Sequence, residues 1–235
     1  MSATTNIYAN HVVGTGQTSS LKWLSRPKQD TRVTAHMSTF KRGLDILASA
    51  VLLIMLAPLF AVVALAIKID STGPVFFRQT RVGYRGEHFK LWKYRSMYMD
   101  AEKRKQELLK RNDIEGNLLF KMKDDPRVTG VGRFIRKYSI DELPQLWNVL
   151  TGDMSLVGPR PAVPAEVSQY SSQQRGRLLA VPGITCIWQV GGRSTIPFEQ
   201  QVQMDIDYIK NQSTWLDIKL LFLTVPAVLF AKGAC

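Results

Sequence analysis

Cysteine and histidine are nearly absent from this 235-residue chain, which holds two Cys and three His. Two thiols, Cys186 and Cys235, cannot build a disulfide framework, so a reducing compartment is the default. So few thiol and imidazole groups argue against a zinc site. Acidic residues are scarce as well: 19 Asp and Glu stand against 31 Lys and Arg, a net charge of +12. With a pI near 9.9, the imbalance points to an anionic partner, whether nucleic acid, nucleotide or anionic lipid. Residues 1–40 lack any apolar run, so no signal peptide is expected there. They are polar and rich in Ser and Thr, and read as a loosely attached tail. Cys235 stands outside any prenylation box, and no internal repeat is visible.

What the chain does have is one long apolar stretch. Ile46 to Ile67 carries no charged residue and matches the ~20 residues needed to span a bilayer. Lys41 and Arg42 precede it; Lys68, Arg78, Arg81, Arg85, Lys90, Lys93 and Arg95 follow. Positively charged flanks prefer the cytoplasmic side, and both flanks can lie there only if the segment turns back. Pro58 lies close to its middle, where it removes a backbone donor and clashes with the carbonyl four residues earlier. The expectation is a re-entrant helix–break–helix over 41–69, each arm reaching roughly half-way into a core of about 30 Å. A kinked single span is the alternative.

Elsewhere the pattern is that of an α/β fold, mainly helical. Val75–Arg78 and Phe89–Tyr94 read as a short β-hairpin with Gly83 and Gly86 between them. Tyr98–Arg111 reads as a charged helix ended by Gly116, and Asp124-Asp125-Pro126-Arg127 as a turn. Helices are expected over Glu142–Leu150, Val163–Leu179 and Phe198–Asn211, with a loop from Pro182-Gly183 through Gly191-Gly192-Arg193. Trp215–Phe230 is apolar but interrupted by Asp217, Lys219 and Pro226, and reads as an interfacial amphipathic pair. These boundaries define a catalytic domain at 70–212 facing the cytoplasm and a C-terminal interfacial segment at 213–235.

The chemistry concentrates at Asp141 and Glu142. Ser139-Ile140-Asp141-Glu142 fits a capping box, in which Ser139 caps a helix and Glu142 reciprocates. A helix N-terminus also suits a phosphate, and an ionised Asp141 placed there could attack phosphorus. Arg133, Arg136 and Lys137 lie just upstream, and Arg160 is held between Pro159 and Pro161, as bidentate phosphate binding favours. Lys93 and Arg95 would share one face of a strand. His11, His36 and His88 are scattered, whereas carboxylate and phosphate oxygens suit Mg²⁺.

Many short motifs recur in fixed order: Lys41-Arg42-x-x-Asp45, Gly73-Pro74-Val75, Arg78-Gln79-x-Arg81-x-Gly83, Lys93-Tyr94-Arg95-Ser96-Met97 and Asp125-Pro126-Arg127-Val128-Thr129. Asp141-Glu142-Leu143-Pro144-Gln145, the run from Gly152 to Pro161, Pro182-Gly183-Ile184-Thr185 and Gln189-Val190-x-Gly192-Arg193 follow. Over roughly residues 40–235 the chain resembles the bacterial sugar transferases, the monotopic polyprenyl-phosphate phosphoglycosyl transferases. The closest likeness is to their small form, without the four-helix membrane domain of larger relatives.

The resemblance implies transfer of a sugar 1-phosphate from a UDP-sugar to undecaprenyl phosphate, with release of UMP, at the bacterial inner membrane. It implies Asp141 as nucleophile, Glu142 and Mg²⁺ as assistants, and Lys93, Arg95, Arg136, Arg160, Gln189 and Arg193 around the phosphates and substrate. UDP-glucose or UDP-galactose is the expected donor, and membrane lipids are expected partners. A homodimer stays open, and nucleic acid is not expected because no helix-turn-helix or RNP signature is present. Ala57 replaces the serine that many family members place before the bend proline. A membrane-bound nucleic-acid binder and a catalytically silent scaffold of a polysaccharide assembly complex remain the alternatives.

Overall fold

The computed structural model describes residues 37–108, 125–192 and 195–229. The tail through His36, the charged stretch beyond Leu108 with Gly116, and Arg193 and Cys235 lie outside the described residues. Helix α1 (Thr39–Met55) starts on Ser38, whose hydroxyl accepts the Lys41 N–H at 3.1 Å. Helix α2 (Ala57–Asp70) follows after a single residue, Leu56. The two are bent by 61°. Pro58 sits at the second position of α2, where a missing donor costs little, so the break falls two residues before the proline. Among the described residues no single helix is long and apolar enough to cross a membrane; the bent pair together is.

Helix α1 is inverted relative to a helix of a soluble domain. Its buried residues are Lys41, Asp45 and Ser49, one turn apart on one face. Phe40, Leu47, Val51, Ile54 and Met55 are exposed. Helix α2 likewise exposes Leu59, Val62, Leu65 and Ile69, and turns Val63 and Ile67 inward. Val63 and Ile67 pack with Tyr94 and Ile135, and Phe60, Val75, Val131 and Ile140 close around them. Each such aliphatic side chain contributes about 1.5–3 kcal/mol on burial. Arg95 caps the end of α2 by donating to the Ser71 carbonyl at 2.6 Å and the Ser71 hydroxyl at 2.9 Å.

Strands β1 (Phe76–Val82) and β2 (His88–Tyr94) form the expected antiparallel hairpin, with Phe76 opposite Tyr94 and Val82 opposite His88. Its first strand runs four residues past Arg78, up to Gly83. Helix α3 (Ala101–Leu108) covers the described part of the charged stretch, and α4 (Gly130–Lys137) is capped by the Thr129 hydroxyl. Helix α5 (Gln145–Thr151) ends on Gly152, whose φ of 103° suits a glycine.

Four expectations are corrected here. Strands β3 (Ser155–Val157) and β4 (Gly183–Thr185) make a parallel pair where a loop was expected after Pro182. The supposed loop through Gly191 contains helix α7 (Ile187–Gly191). Val163–Leu179 is not one helix but a single turn, α6 (Pro164–Val167), and a 3₁₀ segment at Gln174–Leu179. The apolar C-terminal stretch is one helix, α9 (Thr214–Leu229), with Pro226 inside it, rather than a pair. Helix α8 (Phe198–Asn211) matches its expected limits.

Glycine is required where the β3–β4 ladder continues: a Cβ on Gly183 would lie 2.0 Å from the Gly158 nitrogen. Helix α8 contributes Asp205, which is 1 % exposed and accepts from Arg177 Nε at 2.7 Å. Arg177 Nη1 also donates to the Tyr170 hydroxyl at 3.1 Å. Burial pushes the Asp205 carboxyl up to about 6, with Arg177 only partly opposing it. A carboxyl raised above its ordinary ~4 holds its proton more tightly folded than unfolded. Its stabilising contribution is therefore complete below about pH 4 and lost as pH rises through about 6. The thermal midpoint in detergent should fall between pH 5 and pH 7. Asp205→Asn, which mimics the neutral acid, should flatten that fall; an equally steep fall in the variant would clear Asp205 of the effect.

Candidate active site

Three segments converge on the carboxylate pair. The first is the turn between α4 and α5. Ser139 adopts a left-handed conformation, with φ of 54°, and its hydroxyl caps nothing. Ile140–Glu142 is a 3₁₀ turn, and Pro144, not Ser139, precedes α5. The expected capping box is therefore not formed, because Glu142 turns its side chain to two cations instead of back to the chain. Nor does Asp141 sit at the start of a regular helix.

The second segment is β2. Lys93 reaches across from it, placing Nζ 2.7 Å from Glu142 Oε1 and 3.9 Å from Asp141 Oδ2. The third is the Gly158–Pro161 stretch after β3, whose Arg160 Nη2 lies 3.0 Å from the same Glu142 oxygen. That stretch is fixed on both sides. Gly158 donates to the Thr185 carbonyl and Gly183 to the Pro159 carbonyl. Arg81 Nη1 donates to the Pro161 carbonyl at 2.9 Å, and Val82 to the Ala162 carbonyl.

The two carboxylates are thus pushed apart. Burial works against charge on Glu142, yet Arg160 and Lys93 outweigh it and hold this carboxyl well below the usual range. Glu142 in turn holds the Arg160 guanidinium firmly charged. Burial pushes the Asp141 carboxyl up; Lys93 and, more weakly, Arg136 and Arg160 pull it back, while Glu142 adds to the rise. Asp141 is 8 % exposed. Its carboxylate accepts no hydrogen bond among the described residues, and its nearest cation is Lys93. One acid is a fixed anchor for cations; the other has free oxygens.

A hard cation fits these donors. Two neighbouring carboxylates offer oxygen only, and among the described residues no group of three or more His, Cys, Asp or Glu forms a metal cage. Oxygen donors are the ligand type that Mg²⁺ takes, alongside water and phosphate oxygens.

The other expected site residues divide. Arg136, in the last turn of α4, acts on Asp141 through its field. Gln189, on α7, accepts from the Cys186 thiol at 3.0 Å rather than meeting the carboxylates. Arg95 is turned to Ser71, away from the pair. Two residues were given no place at the site from the sequence. Arg81 holds the Arg160 stretch, and Asn148, 1 % exposed on α5, accepts from the Trp92 N–H at 2.9 Å and donates to the Lys90 carbonyl at 2.8 Å. Asn148 thereby stands in for a third strand beside β2, setting the register of Lys93 against Glu142. The signal was an amide at a position that α5 buries. Asn148→Leu should lower stability by about 2–4 kcal/mol, since Trp92 and Lys90 lose their partners. Equilibrium unfolding in detergent would read this, and an unchanged midpoint would contradict it.

The comparisons with known proteins agree in kind. A family model described as bacterial sugar transferase matches residues 36–231. The galactosyl transferase CpsE of Streptococcus agalactiae is 47% identical over 83% of this chain and 43% of its own length. The undecaprenyl-phosphate galactose phosphotransferase of Salmonella typhimurium is 45% identical over 83% of this chain and 41% of its own. The exopolysaccharide production protein ExoY of Sinorhizobium fredii is 40% identical over 83% of this chain and 87% of its own. The chain thus spans less than half of the first two relatives and most of the third.

Proposed function

The chain belongs to the bacterial sugar transferase family, and from that premise we propose that it transfers a hexose 1-phosphate from a UDP-sugar to undecaprenyl phosphate. One observation carries the reading: of two adjacent acids, Glu142, half-buried, is held by Lys93 and Arg160, while the buried Asp141 accepts no hydrogen bond among the described residues. A carboxylate nucleophile needs unengaged lone pairs, and phosphate needs fixed cations around it.

In the first half-reaction an Asp141 oxygen attacks the phosphorus that bears the sugar. The bond from that phosphorus to the bridging oxygen breaks, UMP leaves, and an aspartyl phosphosugar remains. In the second, an oxygen of undecaprenyl phosphate attacks the same phosphorus, the aspartyl bond breaks, and the lipid diphosphate sugar departs. Because the first product leaves before the acceptor reacts, the kinetics should be ping-pong. Lys93 and Arg160, already ordered by Glu142, face the transferred phosphoryl oxygens, and Arg136 adds positive field. Mg²⁺, which Asp141 and Glu142 would hold, supplies further neutralisation of the diphosphate when bound.

The lipid acceptor accounts for the inverted α1. A helix that exposes Phe40, Leu47, Val51, Ile54 and Met55 suits hydrocarbon, and the 61° break suits entry and exit on one side. With basic residues on both flanks, that side is the cytoplasmic face of the bacterial inner membrane. Glucose or galactose is the favoured sugar, in line with the names of relatives such as the galactose phosphotransferase of Salmonella.

The test is UMP release by the purified full chain in lipid nanodiscs, with undecaprenyl phosphate, Mg²⁺ and a panel of UDP-sugars. Asp141→Asn should lower turnover by at least about a thousand-fold while membrane association persists. Mass spectrometry after incubation with donor alone should find the sugar phosphate on Asp141; its absence with UMP still released would move the nucleophile elsewhere. Arg160→Lys should lose about ten- to a hundred-fold, since an ammonium does not replace a planar fork. Rates like those of the wild type would remove Arg160 from the site.

A further inference from the structure

The first turn of α1 reaches the same two chain segments that meet at Glu142. Arg42 donates from Nη1 to the Val149 carbonyl and from Nη2 to the Leu150 carbonyl at 2.9 Å, closing the C-terminal end of α5. Asp45 Oδ1 accepts the Leu156 N–H at 3.2 Å, in the middle of β3. Lys41 Nζ donates to the Val157 carbonyl at 3.2 Å and to Asp217 Oδ2 at 2.7 Å. The Tyr208 hydroxyl lies 3.0 Å from that Val157 oxygen and 2.6 Å from Asp217 Oδ1, so α8 and α9 brace the contact. Lys41, Asp45 and Asp217 are 7 %, 3 % and 6 % exposed.

These contacts hold the two elements that lead out of the site, α5 at its far end and β3 along its length. Helix α5 begins three residues after Glu142, and Arg160 follows Val157 by three. Both α5 and β3 are thus pinned to one turn of α1, and the Glu142–Arg160 pair, 3.0 Å apart, closes the frame on the opposite side.

Stability alone is a poor reason for such a stripe. A buried ion pair often does no better than an apolar pair of equal volume. Asp45 Oδ2 and Ser49 Oγ, in the same stripe, are buried without a protein partner, which is unfavourable. What buried polar contacts supply is register: an apolar face can slide along α5 and β3, whereas three fixed carbonyls and one fixed N–H cannot be met at a second setting.

We propose that Lys41, Arg42 and Asp45 are positioning residues of the phosphoryl-transfer site, so that the seating of α1 in the bilayer sets the spacing of Glu142 and Arg160. This rests on the transferase reading above. It differs from an anchoring role, which would govern only how much protein folds and inserts.

The experiment is steady-state UMP release in nanodiscs by Arg42→Met and Arg42→Lys, normalised to folded, inserted protein. Arg42→Met should lower kcat at least ten-fold, with KM for the UDP-sugar within about three-fold of wild type. Arg42→Lys retains the charge and one of two bonds, so it should fold and recover part of the kcat. If Arg42→Met does not fold, Arg42→Lys alone decides: kcat reduced by several-fold at unchanged KM supports positioning. Wild-type kcat per folded molecule in whichever variants fold would overturn it and leave α1 as an anchor. Absence of UMP release from the wild type would instead overturn the transferase reading beneath it.

Discussion

One glutamate oxygen organises the candidate site. Glu142 Oε1 receives both Lys93 and Arg160, and those cations come from segments far apart in the chain. Two cations so close would repel one another in a buried setting, and a shared anion removes that repulsion. The arrangement also separates two neighbouring acids. Because Glu142 absorbs the strong contacts, Asp141 keeps only the looser field of Lys93, Arg136 and Arg160, with its oxygens free. The proposed reaction, which brings a carboxylate up to a diphosphate, needs both outcomes at once: cations already in place, and an acid they have not consumed.

The pieces that hold this geometry are mostly backbone. Proline on either side of Arg160, the Gly158–Gly183 crossing and the carbonyl of Pro161 leave its backbone little freedom, and Glu142 orients the guanidinium. Asn148 does the same for β2 from the opposite direction. Arg95 closes α2, and α2 carries the apolar cluster against which α4 and the carboxylate turn rest. The apolar surface that remains faces outward along α1 and α2, which suits a lipid surround and not water.

Much of the molecule was legible in its residues, and the reasons differ. The hairpin showed itself through branched and aromatic alternation around Gly83 and Gly86, and α8 through regular spacing between Pro197 and Gln212. The break near Pro58 followed from a missing donor, although the turn itself falls at Leu56 because the proline is tolerated inside the next helix. Asp141, Glu142, Lys93 and Arg160 were found as a charge pattern, and they do meet. What failed was local reasoning overruled by distant partners. Ser139-x-x-Glu142 has the letters of a capping box, but two cations claim the glutamate. Strands β3 and β4 are three residues each, too short for periodicity to reveal, and exist because each supplies the other's hydrogen bonds. Arg95 alternated correctly with Lys93 but lies just past the end of the strand, where it turns to Ser71.

The span between Lys41 and its counter-ion has a consequence for biogenesis. Asp217 is synthesised 176 residues after Lys41. Synthesis proceeds at about 5–20 residues per second, so for many seconds that ammonium has no carboxylate to meet, and Arg42 no finished α5. Until α9 is made the polar stripe of α1 has only water to meet its charges, so docking of the first helix must follow synthesis of the last described one.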